Sequence, residues 1–367
     1  MKTTCVCFVS PTAYGYFNPN IDAVGGGDRQ LSMVSKQLID EFDVHFVVGD
    51  HEQPKCETLD GVILHASYSP DPGSSLVTDV ANFWKLFSAM RRADADVYMY
   101  CGHPRKAAYI YLITKLLGKK WIYYLANDPN VKEQPKKLGT IARSLFDRNI
   151  TDADRVVAQT QKQADLLRDE FDIEPVVIPS GYTTVDDALD HSEREFFLWV
   201  GRIREEQKRP DRFLDLAERF PGEEFVLIGP CGTNKDYCTE IELRADSLDN
   251  VRFRGRVDEG TLHDHYRRAI ALVNTSDYEG FPSTYLEAWR YETPVVSYAV
   301  SVWRFIDSDD DPGCAEGDID TLKKLVAKLS TDHSFRAALS EKPHKYFQEN
   351  LTIDSVSEQY RSLIRSV

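Results

Sequence analysis

Short runs of β-branched and aromatic residues alternate along this chain with stretches whose apolar positions recur every three or four residues. The first kind fits buried strands and the second amphipathic helices, so the alternation predicts parallel α/β architecture. In the first half, strands are expected at 4–9, 44–48, 62–66, 96–101, 121–126, 155–159 and 175–178. A helix over 29–42 places Leu31, Val34, Leu38 and Phe42 on one face, and another over 76–90 does so with Val80, Phe83, Phe87 and Met90. The pattern then restarts, with strands expected at 196–200, 224–228, 251–254, 270–274 and 294–297. Two helices are expected to finish the chain. The last, 353–364, is amphipathic through Ile353, Val356, Tyr360 and Ile364. Between the halves, residues 179–187 form a polar, turn-rich stretch that reads as a linker. The expectation is two doubly wound domains, 1–180 and 181–351, facing a central cleft into which both sets of strands point their C-terminal ends.

Composition agrees with this division. A chain of 367 residues suits two domains, and 42% hydrophobic with 11% aromatic content can fill two cores. The N-terminus runs straight into an apolar strand without the h-region of a secretory signal. The longest apolar stretch, 107–125, is interrupted by Lys115, Lys119 and Lys120, so it reads as a helix followed by a strand and not as a membrane span. Seven cysteines without a CxxC pair or metal-ligand spacing suggest reduced, buried thiols in a cytoplasmic protein. The sequons at Asn149, Asn274 and Asn350 are then chance matches.

The net charge of −15 argues against a nucleic-acid binder. It is unevenly spread: residues 101–150 carry ten Lys/Arg against three acids. Such an island is either an ordinary solvated face or a surface that meets something anionic.

Three segments carry candidate chemistry. In Glu279-Gly-Phe-Pro-Ser-Thr-Tyr-Leu-Glu287, Pro282 and Ser283 precede a helical pattern, and Thr284-x-x-Glu287 fits a capping box. The same geometry suits a ligand: a helix N-terminus attracts phosphate, Glu287 can accept ribose hydroxyls, and Glu279 can accept those of a sugar. In Val200-Gly-Arg-Ile-Arg-Glu-Glu-Gln-Lys208, Arg202 follows a strand and Lys208 lies six residues on, a spacing that can clamp a diphosphate and stabilise it as it departs. In Val24-Gly-Gly-Gly-Asp-Arg29, a triple glycine after the first strand lets the backbone approach a ligand closely, without being a P-loop or a GxGxxG fingerprint.

The order of these segments, with the Val-Ile-Pro-x-Gly linker at 177–181, Val-x-Phe-x-Gly at 251–255 and Glu-x7-Glu, resembles the retaining GT-B glycosyltransferases of family GT4 (glycosyl transferases group 1) over nearly the whole chain. The resemblance implies two Rossmann-like domains with a closing helix, 352–367, crossing back onto the first. It implies transfer of a sugar from a nucleotide-diphosphate donor, without metal or other cofactor, to a glycan or a polyprenyl-phosphate-linked acceptor. Arg202 and Lys208 would bind the diphosphate, Glu287 the ribose and Glu279 the transferred sugar. Backbone of Gly280, Phe281, Pro282, Ser283 and Thr284 would meet sugar and phosphate, and that of Arg256 and Val257 the base. Gly26 and Gly27 would line the first domain's side of the site.

The resemblance breaks in three places. The family's His-Asp or His-Glu after Trp121-Ile-Tyr-Tyr-Leu-Ala is here Asn127-Asp128, which alters a sugar contact and leaves Asp128 among the catalytic positions. His103, at the end of another first-domain strand, reads either as an ordinary surface histidine or as a substitute for that contact. The small-residue turn before Pro294 is Arg290-Tyr-Glu-Thr293, and the family's Gly-Gly and Glu are missing from 298–304. The D-x-D matches at Asp94/Asp96, Asp152/Asp154 and Asp309/Asp311 read as solvated turns and an acidic loop, and His263 with His265 diverge on one helix. Two rival readings follow: a nucleotide-sugar 2-epimerase of the same fold, and a catalytically silent nucleotide-sugar-binding subunit. The expected setting is cytoplasmic, with peripheral contact to anionic membrane through the basic region 105–148.

Overall fold

Runs such as Cys5-Val-Cys-Phe-Val9 and Phe196-Phe-Leu-Trp-Val200 lack a polar face, so they can only be central strands covered on both sides. A computed structural model describes residues 3–21, 25–70, 76–132, 134–185, 187–301, 305–306 and 312–367. The chain forms two units, Met1–Gly181 with Ile353–Val367, and Tyr182–Thr352.

The first unit runs β1 (Cys5–Val9), α1 (Gly26–Gln37), β2 (Asp43–Val48), β3 (Cys56–Leu59), β4 (Val62–Ala66), α2 (Leu76–Ala93), β5 (Val97–Cys101), α3 (Pro104–Leu116), β6 (Lys120–Tyr124), α4 (Pro129–Lys132), α5 (Thr140–Thr151), β7 (Arg155–Ala158), α6 (Gln161–Phe171) and β8 (Val176–Val177). Its sheet has the order β3-β4-β2-β1-β5-β6-β7-β8. All neighbours pair in parallel except β3, which runs antiparallel to β4. That edge strand was not expected from the sequence. It alternates exposed and half-covered residues, and it exists because Asp60 and Gly61 turn at φ 52° and 77° into a tight hairpin.

The second unit runs β9 (Phe196–Val200), α7 (Pro210–Arg219), β10 (Glu224–Ile228), α8 (Lys235–Asp246), β11 (Val251–Phe253), α9 (Glu259–Arg268), β12 (Ala269–Asn274), α10 (Ser283–Trp289), β13 (Val295–Ser297), α11 (Ile319–Thr331) and α12 (His333–Asn350). Its parallel sheet has the order β11-β10-β9-β12-β13. The last helix, α13 (Ile353–Arg365), belongs to the first unit. There Val356, Tyr360, Leu363 and Ile364 join Leu31 and Val34 of α1, and Leu38 just after it, in one core, and Arg365 pairs with Glu41 at 2.6 Å. Three helices, not two, therefore follow β13 among the described residues.

Two further expectations change. The first helix begins at Gly26, not Arg29, and stops before Phe42, so Gly26 and Gly27 lie in its first turn and not in a loop. The thiols are not all reduced: Cys231, just after β10, and Cys238, in α8, form a disulfide with Cα atoms 5.6 Å apart. A spacing of seven carries no motif; the strand-to-helix turn brings the pair together. Cys5, Cys7, Cys56, Cys101 and Cys314 are free, and Cys56 is exposed.

Candidate active site

In the second sheet β9 and β12 are neighbours, but the chain leaves them in opposite directions, towards β10 and β11 on one side and β13 on the other. The loops after these two strands diverge, which opens a crevice at the carboxyl ends where ligands of doubly wound sheets bind. The loop after β9 carries Arg202 and Lys208, and the loop after β12 carries Glu279. The two loops are stitched together. The Asp277 N–H donates to the Gln207 carbonyl at 2.9 Å, and the Thr275 hydroxyl donates to the Lys208 carbonyl at 2.8 Å. Beneath them the Trp199 indole N–H donates to Thr275 Oγ1 at 2.8 Å. Arg212 reaches from α7 to the Thr275 carbonyl at 2.9 Å and to Asp277 at 2.7 Å, and lies 3.8 Å from the centre of the Tyr298 ring.

Within this frame Lys208 and Glu279 form a close ion pair. The sequence had given them separate roles, diphosphate and sugar; in the structure their side chains meet. The Glu279 side chain is 8% exposed and that of Lys208 20%, so water screens the pair poorly. Glu279 also accepts the Ser276 hydroxyl at 2.7 Å and the Gln207 amide at 3.4 Å. Neither Ser276 nor Gln207 was singled out from the sequence, because a serine or glutamine in a loop carries no spacing signal. Lys208, Ser276 and Thr284 line a depression floored by Trp199, Val200 and Leu272.

The next segment corrects the capping reading. The N-cap of α10 is Pro282, no side chain caps it, and Thr284 lies inside the helix. Glu287 is 2% exposed on this seven-residue helix, so it does not reach back as the solvated partner of a capping box. Phe281 packs on Phe305 with ring centroids 4.7 Å apart, and Pro282 is buried while Gly280, Ser283 and Thr284 are half-covered. Arg202 is placed by its neighbours: the Gly201 N–H donates to the Ile228 carbonyl and that of Ile203 to the Pro230 carbonyl, each at 3.0 Å. Arg256 and Val257 follow β11, beyond Gly255 at φ 58°, whose carbonyl accepts the Gly229 N–H at 2.7 Å. The second-domain positions read from the sequence thus all lie at the carboxyl edge of one sheet.

The first sheet has its own reversal, between β1 and β5. Gly27 sits there, where a Cβ would meet Cys101 Sγ at 3.1 Å, so the first turn of α1 can lie close against the end of β5. Gly26 precedes it, and Val24 lies outside the described residues. Asp28, not assigned a role from the sequence, accepts the Ser10 and Thr12 hydroxyls at 2.5 and 2.6 Å, and its burial raises its pKa. His103 caps α3 by accepting the Arg105 N–H at 3.2 Å. Asn127 Oδ1 accepts the Asn130 N–H at 3.2 Å, and Asp128 pairs with Lys162 at 2.9 Å. The pair that departs from the family thus has local structural partners.

The aspartate pairs do other work than expected. Asp96 accepts the Cys5 N–H at 3.0 Å, and Asp154 accepts the Trp121 N–H at 2.9 Å and pairs with Lys120 at 2.8 Å. They tie down strand starts, at the opposite edge of the sheet from its reversal loops. Asp309 and Asp311, and Trp303 with Arg304 of the third departure, lie outside the described residues.

Comparison with known proteins adds to this geometry. Residues 184–346 match the family model for glycosyl transferases group 1, and residues 24–185 match that for glycosyltransferase family 4. A D-inositol 3-phosphate glycosyltransferase of Geodermatophilus obscurus is 31% identical over 177 residues, which are 41% of this chain and 39% of that protein. The matched stretches span between 37% and 64% of the curated relatives' lengths. A sucrose-phosphate synthase from Thermosynechococcus elongatus superposes with a TM-score of 0.80 at 17% identity, covering 99% of this chain and 98% of that one. Anabaena HepE in complex with UDP and glucose does so with a TM-score of 0.75 at 14% identity, covering 99% of this chain and all (100%) of that one. At such identities these likenesses concern the fold, which is GT-B.

Proposed function

The chain belongs to the glycosyl transferases group 1 family, and from that premise we propose that it is a retaining, metal-independent glycosyltransferase acting on a nucleotide-diphosphate sugar. The observation that carries the reading is the Lys208–Glu279 pair at the reversal of the second sheet, poorly screened and one short loop from Arg202. A bound diphosphate competes with Glu279 for the Lys208 ammonium. The carboxylate then turns to the sugar hydroxyls, while Arg202 and Lys208 take up the charge of the departing phosphate. That neutralisation replaces a metal ion in this proposal. Glu287, on the next helix, is assigned to the ribose, the backbone of 280–284 to sugar and phosphate, and that of Arg256–Val257 to the base. Retention follows if the departing diphosphate guides the acceptor onto the face it leaves, since these carboxylates orient hydroxyls and do no acid–base work of the glycosidase kind.

HepE has been solved with UDP and glucose, so UDP-sugars are the first donors to try. The test is transfer or slow hydrolysis of a nucleotide-sugar panel by the purified protein. Activity lost in Glu279→Ala and in Arg202→Ala supports the reading. An active protein indifferent to both substitutions sinks it.

The acceptor is assigned to glycans or lipid-linked sugars, at a cytoplasmic membrane face. No helix of the described residues is long and apolar enough to cross a membrane. Much of the basic island is paired internally, as Arg105–Asp79, Lys119–Asp94 and Arg143–Asp147. Lys136 and Lys137 are exposed, and Ile141 follows at 80% exposure, a combination that suits an anionic interface. Salt-sensitive co-sedimentation with anionic vesicles, abolished by Lys136→Glu/Lys137→Glu, is the expected result.

One observation favours the silent-subunit reading: Asn127, in place of the family's histidine, is engaged with the backbone at Asn130. Binding of nucleotide-sugar without any turnover across the panel would establish that reading instead.

A further inference from the structure

The disulfide adjoins the loop that carries Arg202. Cys231 lies within Gly229-Pro-Cys-Gly232, which forms a β-bridge with Ile203. Three backbone hydrogen bonds join the segments: Gly201 N–H to the Ile228 carbonyl, Ile203 N–H to the Pro230 carbonyl, and Gly232 N–H to the Ile203 carbonyl at 3.1 Å. Arg202 is the residue between the first two. The contact has no slack, because a Cβ at Gly229 would strike the Gly201 carbonyl and one at Gly232 the Ile203 carbonyl. The disulfide pins the far end of this segment to α8 through Cys238.

Glu242, one turn beyond Cys238, sets an oxygen 3.6 Å from each sulfur. A disulfide offers that carboxylate no hydrogen, whereas each thiol of the reduced pair has an S–H to donate. A structural disulfide would gain nothing from the acid; a reversible pair has its reduced form stabilised by it. Cys231 is half-buried and Cys238 buried, so an incoming thiolate reaches Cys231. Cys238 then leaves from α8 and takes up a proton, and Glu242 one turn on accepts the S–H of the resulting thiol.

We propose that Cys231 and Cys238 form a reversible dithiol–disulfide site, acted on by a dithiol reductant of the thioredoxin class, whose state sets the position of Arg202 and hence donor affinity. The reductant's thiolate forms a bond to Cys231 Sγ, and the Cys231–Cys238 bond breaks with its electron pair leaving on Cys238 Sγ. The reductant's second thiol then displaces Cys231 and becomes oxidised. Two electrons and two protons pass to the protein in all. Oxidised, the loop is held; reduced, the 229–232 segment is released from α8 and the Arg202 backbone loosens. The effect on donor affinity rests on the transferase reading above, whereas the thiol chemistry and the loop coupling do not.

The experiment compares the full chain before and after dithiothreitol, by alkylation and mass spectrometry, amide hydrogen exchange and UDP titration. Exposed Cys56 serves as the alkylation control. Expected are Cys231 and Cys238 labelled only after reduction, faster exchange over 201–208, and UDP affinity at least about fivefold weaker. Cys231→Ser should reproduce the reduced behaviour without reductant. Glu242→Ala should shift the equilibrium about tenfold towards the disulfide, or about 30 mV. Free thiols at both positions under oxidising conditions, or exchange over 201–208 indifferent to reduction, would overturn the proposal, as would UDP affinity unchanged by it. If UDP binds neither state while loop exchange still responds, the donor reading fails and the redox coupling stands.

Discussion

Lys208 and Glu279 are each held by more than the other. Glu279 takes hydrogen bonds from Ser276 and Gln207, and the Lys208 carbonyl is fixed by Thr275. Removing one partner leaves the other charge partly buried, which costs more than the pair contributes as a pair. Lys208→Ala is therefore expected to lower unfolding free energy by about 2–3 kcal/mol, at or just below the cost for a fully buried pair, because the site is partly open to water and the carboxylate left behind keeps the Ser276 and Gln207 hydrogen bonds. It should cut transfer about 100-fold or more. Chemical denaturation and steady-state rates separate the two effects: the double substitution with Glu279→Ala should regain stability but not activity.

A second residue-scale expectation concerns His65, buried on β4 with its Nε2 2.9 Å from Nδ1 of His45. Burial first, then the charges of His45 and Arg92, lower its pKa from 6.5 to about 4. The unfolded chain therefore binds the proton more readily, so the neutral ring's contribution is whole above pH 6.5 and fades as pH falls towards 4. Urea midpoints followed from pH 7 to 4.5 should fall more steeply in the wild type than in His65→Gln.

At the scale of elements, the turn after β10 shows how a short segment positions a distant one. Gly229 lies at φ 155° against the Gly201 carbonyl, and its N–H reaches the end of β11 through Gly255. Gly229→Ala forces a methyl into that carbonyl and must push the loop after β9 away. A loss of about 3 kcal/mol or more is expected, with donor binding impaired, read by thermal shift with and without UDP. The hairpin of β3 and β4 teaches a different lesson. Its strand Cys56-Glu-Thr-Leu59 is too polar and too exposed to show a buried-strand pattern, although the Asp-Gly turn that makes it was present in the sequence. The fully apolar strands β1 and β9 were legible because burial on both faces leaves an unbroken run.

For the whole molecule, division into two units makes the last helix decisive for the first. Ile353, Val356, Tyr360, Leu363 and Ile364 of α13 are each at most 5% exposed and belong to the first unit's core. Burying such side chains contributes about 1.5–3 kcal/mol each, so five of them match a domain's net stability of about 5–15 kcal/mol. A chain ending at residue 352 should lose the first unit's cooperative unfolding transition and keep the second's. Calorimetry or limited proteolysis would show it; two intact transitions would refute it. The alternation of strand and helix, the restart near residue 196 and the order of the Arg202, Glu279 and Glu287 segments were fixed by residues acting on their chain neighbours, so the sequence alone determined them. The meeting of Lys208 with Glu279 across 71 residues, the Cys231–Cys238 bond and the local engagement of Asn127 were decided only by tertiary structure. Periodicity records what each residue faces, but which loops converge depends on strand order and on where that order reverses.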